Sequence, residues 1–203
     1  MALSTFSDLK DAILDHLDRP DLVAFDDDFL KIGENRIYRD LRIRAMEAAY
    51  SAVISSGSAS LPSDYVELKS AYVNSSPTRA LERATVEFIY KQYPTRSAEG
   101  KPRYIAREGS SFIFGPYPDD SYTINGIYYK RLTALSSSNT TNWFTDNAPE
   151  ILLYAGLCAA EKFLGNDARV PLWNSMYETL REAIQAEDRK EQFSGSGLRM
   201  VAF

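Results

Sequence analysis

Four groups of side chains here have the types that chemistry needs: Cys158, His16, the acidic runs Asp26-Asp27-Asp28 and Asp119-Asp120, and the arginines Arg36, Arg39, Arg42 and Arg44. A cysteine nucleophile needs exposure and a lowered pKa. Cys158 instead sits one turn after Tyr154 and Ala155 in an apolar run, the setting of a small buried hydrophobe. The only histidine is far from it in sequence, so no Cys–His pair is encoded locally. His16 falls on the apolar face of a helix beside Asp15. That predicts a packed or hydrogen-bonded residue, or else an interface contact, rather than acid–base work. Consecutive aspartates point apart, whereas calcium loops space their oxygens two residues apart and bend at a glycine. Asp26 to Asp28 therefore read as capping and solvation, and Asp119-Asp120 as a turn. A glycosidase needs two carboxylates across a cleft, and 28 acidic residues nominate no pair. No phosphate-binding glycine loop, zinc spacing or Gly-x-Ser-x-Gly elbow occurs. The sequence thus offers no catalytic, metal or cofactor site. The four arginines are the best candidates for contact with DNA or an acidic partner. Asp40 and Glu47 dilute them, and a self-paired helix face is the competing reading.

The strongest element signals lie between Trp143 and Phe203. Asn147 as a cap, Pro149 in the first turn and Glu150 three residues after Asn147 predict a helix from Pro149 to Leu164. Gly165 can take the left-handed conformation that ends it. Ile151 to Tyr154, Ala155, Leu157 and Cys158 make this helix apolar nearly all round, so it is either deeply buried or packed on a neighbouring chain. It is too short for a bilayer, which needs roughly 20 apolar residues. After a Gly165-Asn166-Asp167 turn, Trp173, Met176, Tyr177, Leu180 and Ile184 share one face of a second helix. The two should form an antiparallel hairpin, with Pro171 delaying the second helix by a few residues. Beyond Gln192, Ser194-Gly195-Ser196-Gly197 has flexible-linker composition. It leads to the apolar Leu198-Arg199-Met200-Val201-Ala202-Phe203, which reads as a frayed end or as an arm that orders on binding.

At the other end, Thr5 or Ser7 caps a first helix whose apolar face is Leu9, Ala12, Ile13, His16 and Leu17, stopped at Arg19-Pro20. Asp26 to Asp28 precede a second helix from Phe29 to Met46, with the arginines crowding its C-terminal half, the sign the dipole prefers. From Ala49 the period changes to 2. Strands follow in 61–73, 79–82, 103–107, 111–114 and 121–132, with a brief helix over 85–93. The expected architecture is α+β: an α-helical bundle of N-terminal (1–48) and C-terminal (136–193) helices, an inserted antiparallel β-sheet and hairpin region (49–135), and an extended C-terminal arm (194–203).

At 203 residues with 44% hydrophobic and 25% charged content, the chain can bury a core without metal or disulfide. Thirteen tyrosines suit strands and interfaces. A net charge of −5 argues against gripping nucleic acid, though not against surrounding it. One cysteine fits a reducing compartment, and Met1-Ala2-Leu3-Ser4 lacks signal-peptide character. These features predict a soluble protein folded in a cytoplasm.

Taken in order, several stretches resemble the head-to-tail adaptor (connector) proteins of tailed phages, as in short-tailed phages. They are Leu61-Pro62-Ser63-Asp64-Tyr65-Val66-Glu67-Leu68, the Gly100-Lys101-Pro102-Arg103-Tyr104 entry to a hairpin, Ser136 to Trp143, Asn166-Asp167-Ala168-Arg169 and Phe193-Ser194-Gly195-Ser196. The resemblance covers nearly the whole chain; Pro171 departs from it. It implies a structural virion protein at the head-to-tail junction, assembled in the host cytoplasm, with no enzymatic activity. Such adaptors form a homo-oligomeric ring, commonly of twelve copies, under the portal protein. The ring contacts tail, nozzle and fibre proteins and continues the DNA exit channel, so DNA passes through without sequence recognition. The resemblance also gives Leu198, Arg199, Met200, Val201 and Phe203 the role of a portal-docking arm. The alternatives are an infection-associated cell-wall hydrolase using a carboxylate pair, or another tail accessory module.

Overall fold

The structure, a computed structural model, describes residues 3–95, 100–165 and 168–193. The chain forms two compact units, one of 46–131 and one of the flanking segments 1–45 and 132–203. The architecture is α+β.

The first unit is helical. Helix α1 spans Phe6–Leu17 and begins with a capping box: Thr5 Oγ1 accepts from the Asp8 amide, and the Asp8 carboxylate accepts from the Thr5 amide. Hydrogen bonds to that carboxylate from Thr5 and from the Ser4 hydroxyl and amide hold the Asp8 carboxyl below the usual carboxylate range. Its buried face is Leu9, Ala12, Ile13 and Leu17. His16 is not on that face. It is exposed at the last turn, with Nδ1 2.8 Å from Ala12 O.

Helix α2 (Asp26–Asp40) starts earlier and stops earlier than periodicity predicts. The three aspartates occupy its first turn, where the free amides and helix dipole favour them. Its end is physical rather than compositional. Leu41 and Ile43 are both buried, 0% and 1% exposed, which an extended segment achieves by alternation. Between them Arg42 turns back to donate to the Tyr38 and Leu41 carbonyls, two of the orphans that a helix C-terminus leaves.

A short helix α4 (Trp143–Asn147), capped by Asn142, precedes helix α5 (Pro149–Leu164). Asn147 does not cap α5, whose N-cap is Ala148; its side-chain Nδ2 donates to Trp143 O within α4. Gly165 ends α5 at φ +67°, the left-handed value. Helix α6 runs Val170–Phe193. Pro171 falls in its first turn, where a missing N–H costs nothing, so the expected delay does not occur. Within this unit α5 is the core: Ile151, Leu152, Leu157 and Ala160 are each fully buried, against α1, α2, α4 and α6. Gly33 of α2 and Gly156 of α5 let those two helices cross closely. A Cβ on Gly33 would lie 2.8 Å from the Gly156 nitrogen.

The second unit holds two four-stranded sheets. One has the order β1 (Glu47–Ile54), β8 (Tyr122–Lys130), β3 (Tyr65–Asn74) and β4 (Arg79–Ala80). The other has β2 (Ser58–Ser60), β7 (Ser111–Gly115), β6 (Tyr104–Glu108) and β5 (Glu82–Arg83). All pairs are antiparallel except β5–β6, which is parallel. The parallel pair is joined by a crossover that includes the helix at Val86–Gln92, the kind of connection parallel neighbours require. One core cluster contains Tyr50, Leu68, Val73, Phe112, Phe114 and Ile124. A smaller cluster joins Ile89 of helix α3 (Val86–Gln92) to Ala106 and Ile113. Strand β7 thus buries Phe112 and Phe114 in one cluster and Ile113 in the other, as period 2 requires.

Candidate assembly surfaces

Three buried acidic side chains, all in the helical unit, organise what the sequence left unexplained. Glu34, 5% exposed, lies under the polar connector 132–142. Its Oε1 accepts from the Leu135 amide at 3.4 Å, Asn142 Nδ2 at 3.3 Å and the Tyr38 hydroxyl at 3.2 Å. Asp26, 3% exposed, pairs with Lys10 Nζ at 3.2 Å and ties α2 to α1. Glu161, fully buried near the end of α5, accepts from Arg169 Nε at 2.8 Å and Trp173 Nε1 at 3.3 Å. It clamps the α5–α6 turn, while its Oε2 has no hydrogen-bond partner among the described residues. A buried carboxylate with one partner removed costs more than the pair contributes. Such groups act as registers, fixing which helix meets which.

The four arginines divide by the same logic. Arg36 lies in the packing of α2 on α6: its Nη2 donates to Asn174 Oδ1 at 2.7 Å and Glu178 Oε1 at 3.1 Å, its Nε lies 3.5 Å from Asp40, and its guanidinium lies 3.8 Å from the Tyr177 ring centroid. Tyr177, fully buried, donates to Asp40 Oδ2 at 2.8 Å; burial and that bond raise its phenol well above its ordinary pKa. Arg42 serves the α2 C-terminus, as described above. Arg44 pairs with Asp188 and Glu191 of α6. Arg39 is exposed and makes no hydrogen bond or ion pair among the described residues. The cluster is therefore not a continuous basic patch. Two of its members hold α6, one caps α2, and one faces solvent. The sequence could not separate them, because the α6 partners of Arg36 and Arg44 lie 138 to 147 positions away.

Cys158 is 3% exposed, and burial raises its thiol pKa, outweighing the lowering effect of Arg36. That is the opposite of nucleophile activation. No group of three metal-ligand side chains converges among the described residues, and none of their helices is long and apolar enough to cross a membrane.

Apolar side chains reach the surface in separate patches. On α2 and α5, Phe25, Ile32 and Phe163 are 42%, 54% and 56% exposed, with the Phe25 and Phe163 rings 5.0 Å apart. On α6, Leu172 and Met176 are exposed at i, i+4, so Met176 leaves the buried face assigned to it. The outer face of the β1–β8–β3 sheet carries Ala49, Ser51, Val53, Asn125, Ile127, Ser70, Tyr72 and Asn74. Its charges sit at one end, where Lys69 pairs with Glu47 at 2.5 Å and Glu67 is exposed opposite Tyr129; the rest of the face is uncharged. These are surfaces built for contact with other proteins.

The family model described as "SU10 adaptor protein" matches residues 4–200 of the chain. The chain belongs to that family. It is one of phage head-to-tail adaptors, which places the protein in the virion at the head–tail junction in association with portal and tail proteins. No curated protein matches the chain. Within this adaptor, the proposed portal-docking residues Leu198, Arg199, Met200, Val201 and Phe203 lie outside the described residues, as does the Asn166-Asp167 turn.

Proposed function

We propose that the protein is a structural ring component. Copies assemble beneath the portal, link the DNA-filled capsid to the tail, and line a channel through which DNA leaves without sequence recognition. The observation that carries this reading is the family match over 4–200. Twelve copies are the expected number. A closed ring needs two different patches on each protomer, and the helical unit offers the Phe25–Ile32–Phe163 patch and the Leu172–Met176 stripe. Helix α5, which composition made a candidate for contact between chains, is engaged mainly within its own protomer and contributes only Phe163 to the first of these patches. The outer face of the β1–β8–β3 sheet, uncharged except at its Glu47–Lys69–Glu67 end, is assigned to tail, nozzle and fibre proteins. Segment 198–203 docks on the portal. Of the arginines, Arg39 is assigned to an acidic partner surface or the passing DNA, and Arg36, Arg42 and Arg44 to fixing α6. The net charge of −5 keeps DNA sliding rather than bound.

Electron microscopy of the protein mixed with purified portal particles tests this directly. Added density of rotational symmetry under the portal is expected, and it should be lost when residues 194–203 are deleted. A free trimer with no affinity for portal would overturn the ring reading in favour of a tail accessory module.

A further inference from the structure

At the C-terminal end of α6 the helical unit contains a cleft of about 230 Å³. Its apolar lining is Ile43, Ala45, Trp143, Ala148 and Ile184, and its rim is Arg44, Asn147, Glu187, Asp188 and Glu191. Trp143, Ala148 and Ile184 remain half-exposed there. The rim is anionic: Arg44 is already held by Asp188 and Glu191, and Glu187 is exposed with no ion pair among the described residues. We propose that this cleft is the resting site of the chain's own segment 198–203, which occupies it until the portal takes the segment away. The inference rests on the reading of that segment as a portal-docking arm.

Chemistry and reach both favour this occupant. The segment Leu198-Arg199-Met200-Val201-Ala202-Phe203 has five apolar residues and one cation, which match an apolar floor and an acidic rim. Ile184 lies nine residues before Phe193, about 13 Å back along a helix that rises 1.5 Å per residue. Four linker residues span up to about 14 Å when extended, and their glycine–serine composition permits a reversal. Leu198 can therefore return to the level of the cleft. The Leu172–Met176 stripe and the Phe25–Ile32–Phe163 patch on this unit are out of reach of the same linker. Leu172 is 21 residues before Phe193, about 31 Å along α6, and Phe163 lies beyond the α5–α6 turn.

Parking has a consequence for assembly. An apolar arm held on its own protomer is shielded from premature association, and its apparent affinity for the portal falls in proportion to the parked fraction. Trp143 reports the cleft, because Trp173 sits at the opposite end of α6 and supplies a constant background. Trp emission and its quenching by acrylamide are compared for the full chain and a chain ending at 193. Truncation is expected to shift emission to the red and raise the quenching constant. A peptide of residues 198–203 added in trans should reverse both, and the difference should vanish in Trp143→Phe. Emission and quenching unaltered by truncation would overturn the inference. Portal capture is measured in parallel to keep the two readings apart. Ile184→Glu, which spoils the cleft but keeps the arm, should tighten capture, whereas truncation should abolish it. Loss of capture with unaltered Trp143 overturns parking and leaves the portal reading. An altered Trp143 with retained capture overturns the portal reading instead. Should Ile184→Glu fail to fold, Glu187→Lys tests the same cleft through the charge of Arg199, with tighter capture again expected and unchanged capture counting against the rim's role.

Discussion

The helical unit and the β unit solve the same problem by different physics. Every buried acidic side chain among the described residues, Asp26, Glu34 and Glu161, belongs to the helical unit. There, ion pairs and a close crossing of glycines decide how helices meet. The β unit has two apolar clusters and no buried charge among its described residues; its sheets are fixed by ladder hydrogen bonds and side-chain area. Buried polar groups are a device for uniqueness rather than net stability. The contrast is that specific polar pairings fix how the helices meet, whereas apolar area fixes how the sheets pack.

The largest effect should come from the β core. Phe112, 2% exposed, packs edge-on against Tyr50 and Tyr65 with centroids 5.6 and 5.5 Å away. Phe112→Ala should destabilise the β unit by about 3–5 kcal/mol. Both tryptophans, Trp143 and Trp173, lie in the helical unit, so urea unfolding followed by Trp emission and by far-ultraviolet circular dichroism separates the two regions. A native Trp spectrum unlike wild type would break the comparison. On the helical side, Gly33→Ala places a methyl 2.8 Å from Gly156 N and 3.0 Å from Ala155 C, both backbone atoms that cannot rotate away. About 1–3 kcal/mol of destabilisation is expected. Gly156→Ala instead meets the mobile end of Ile13 and should cost less. Equal costs would show that the crossing is not set by backbone approach.

This difference in physics also explains what could be read in advance. Local signals were sufficient for α5, which runs from Pro149 to Leu164 as its proline and glycine predict, and for the β6–β7 hairpin around Gly109-Ser110. The end of α2 was not legible, because Leu41 and Ile43 continue a helical pattern and only the packing they reach makes them extended. The role of Glu34 was equally hidden. Its partners Leu135 and Asn142 lie 101 and 108 positions away, and nothing in the helix around it marks a buried carboxylate. Among candidate sites, Cys158 was legible as an inert core residue, but the arginines were not separable. Four like charges close together in sequence look alike until the α6 partners of Arg36 and Arg44 are known.

The polar interface of α2 with α6 gives the next two tests. Arg36→Ala removes hydrogen bonds to Asn174 and Glu178 and the guanidinium beside Asp40, while Glu178 keeps its pair with Arg181. About 1–3 kcal/mol should be lost, measured as a lower urea midpoint by Trp emission. The interface also predicts a pH effect. Because the fold raises the Tyr177 phenol above its unfolded value of about 10, the neutral form is favoured in the native state. That contribution is fully present below pH 10 and is lost as pH rises above it. Unfolding midpoints between pH 8 and 11 should fall more steeply for the wild type than for Tyr177→Phe. Parallel curves would mean that Tyr177 is not responsible.

The smallest expected change in stability discriminates most finely. Arg39 shares a helix and a charge with Arg36, but it is exposed and lacks partners among the described residues, so Arg39→Ala should shift stability by no more than about 0.5 kcal/mol. If the arginines divide as their contacts imply, Arg36→Ala weakens portal capture only as far as it weakens the fold, and does so at any ionic strength. Arg39→Ala leaves the fold intact and weakens capture at low salt, with the difference disappearing as salt screens an exposed charge. Capture by portal particles, titrated at two salt concentrations with both variants, reads the division directly. A salt-dependent loss in Arg36→Ala, or none in Arg39→Ala, would reassign the exposed contact to another surface of the helical unit.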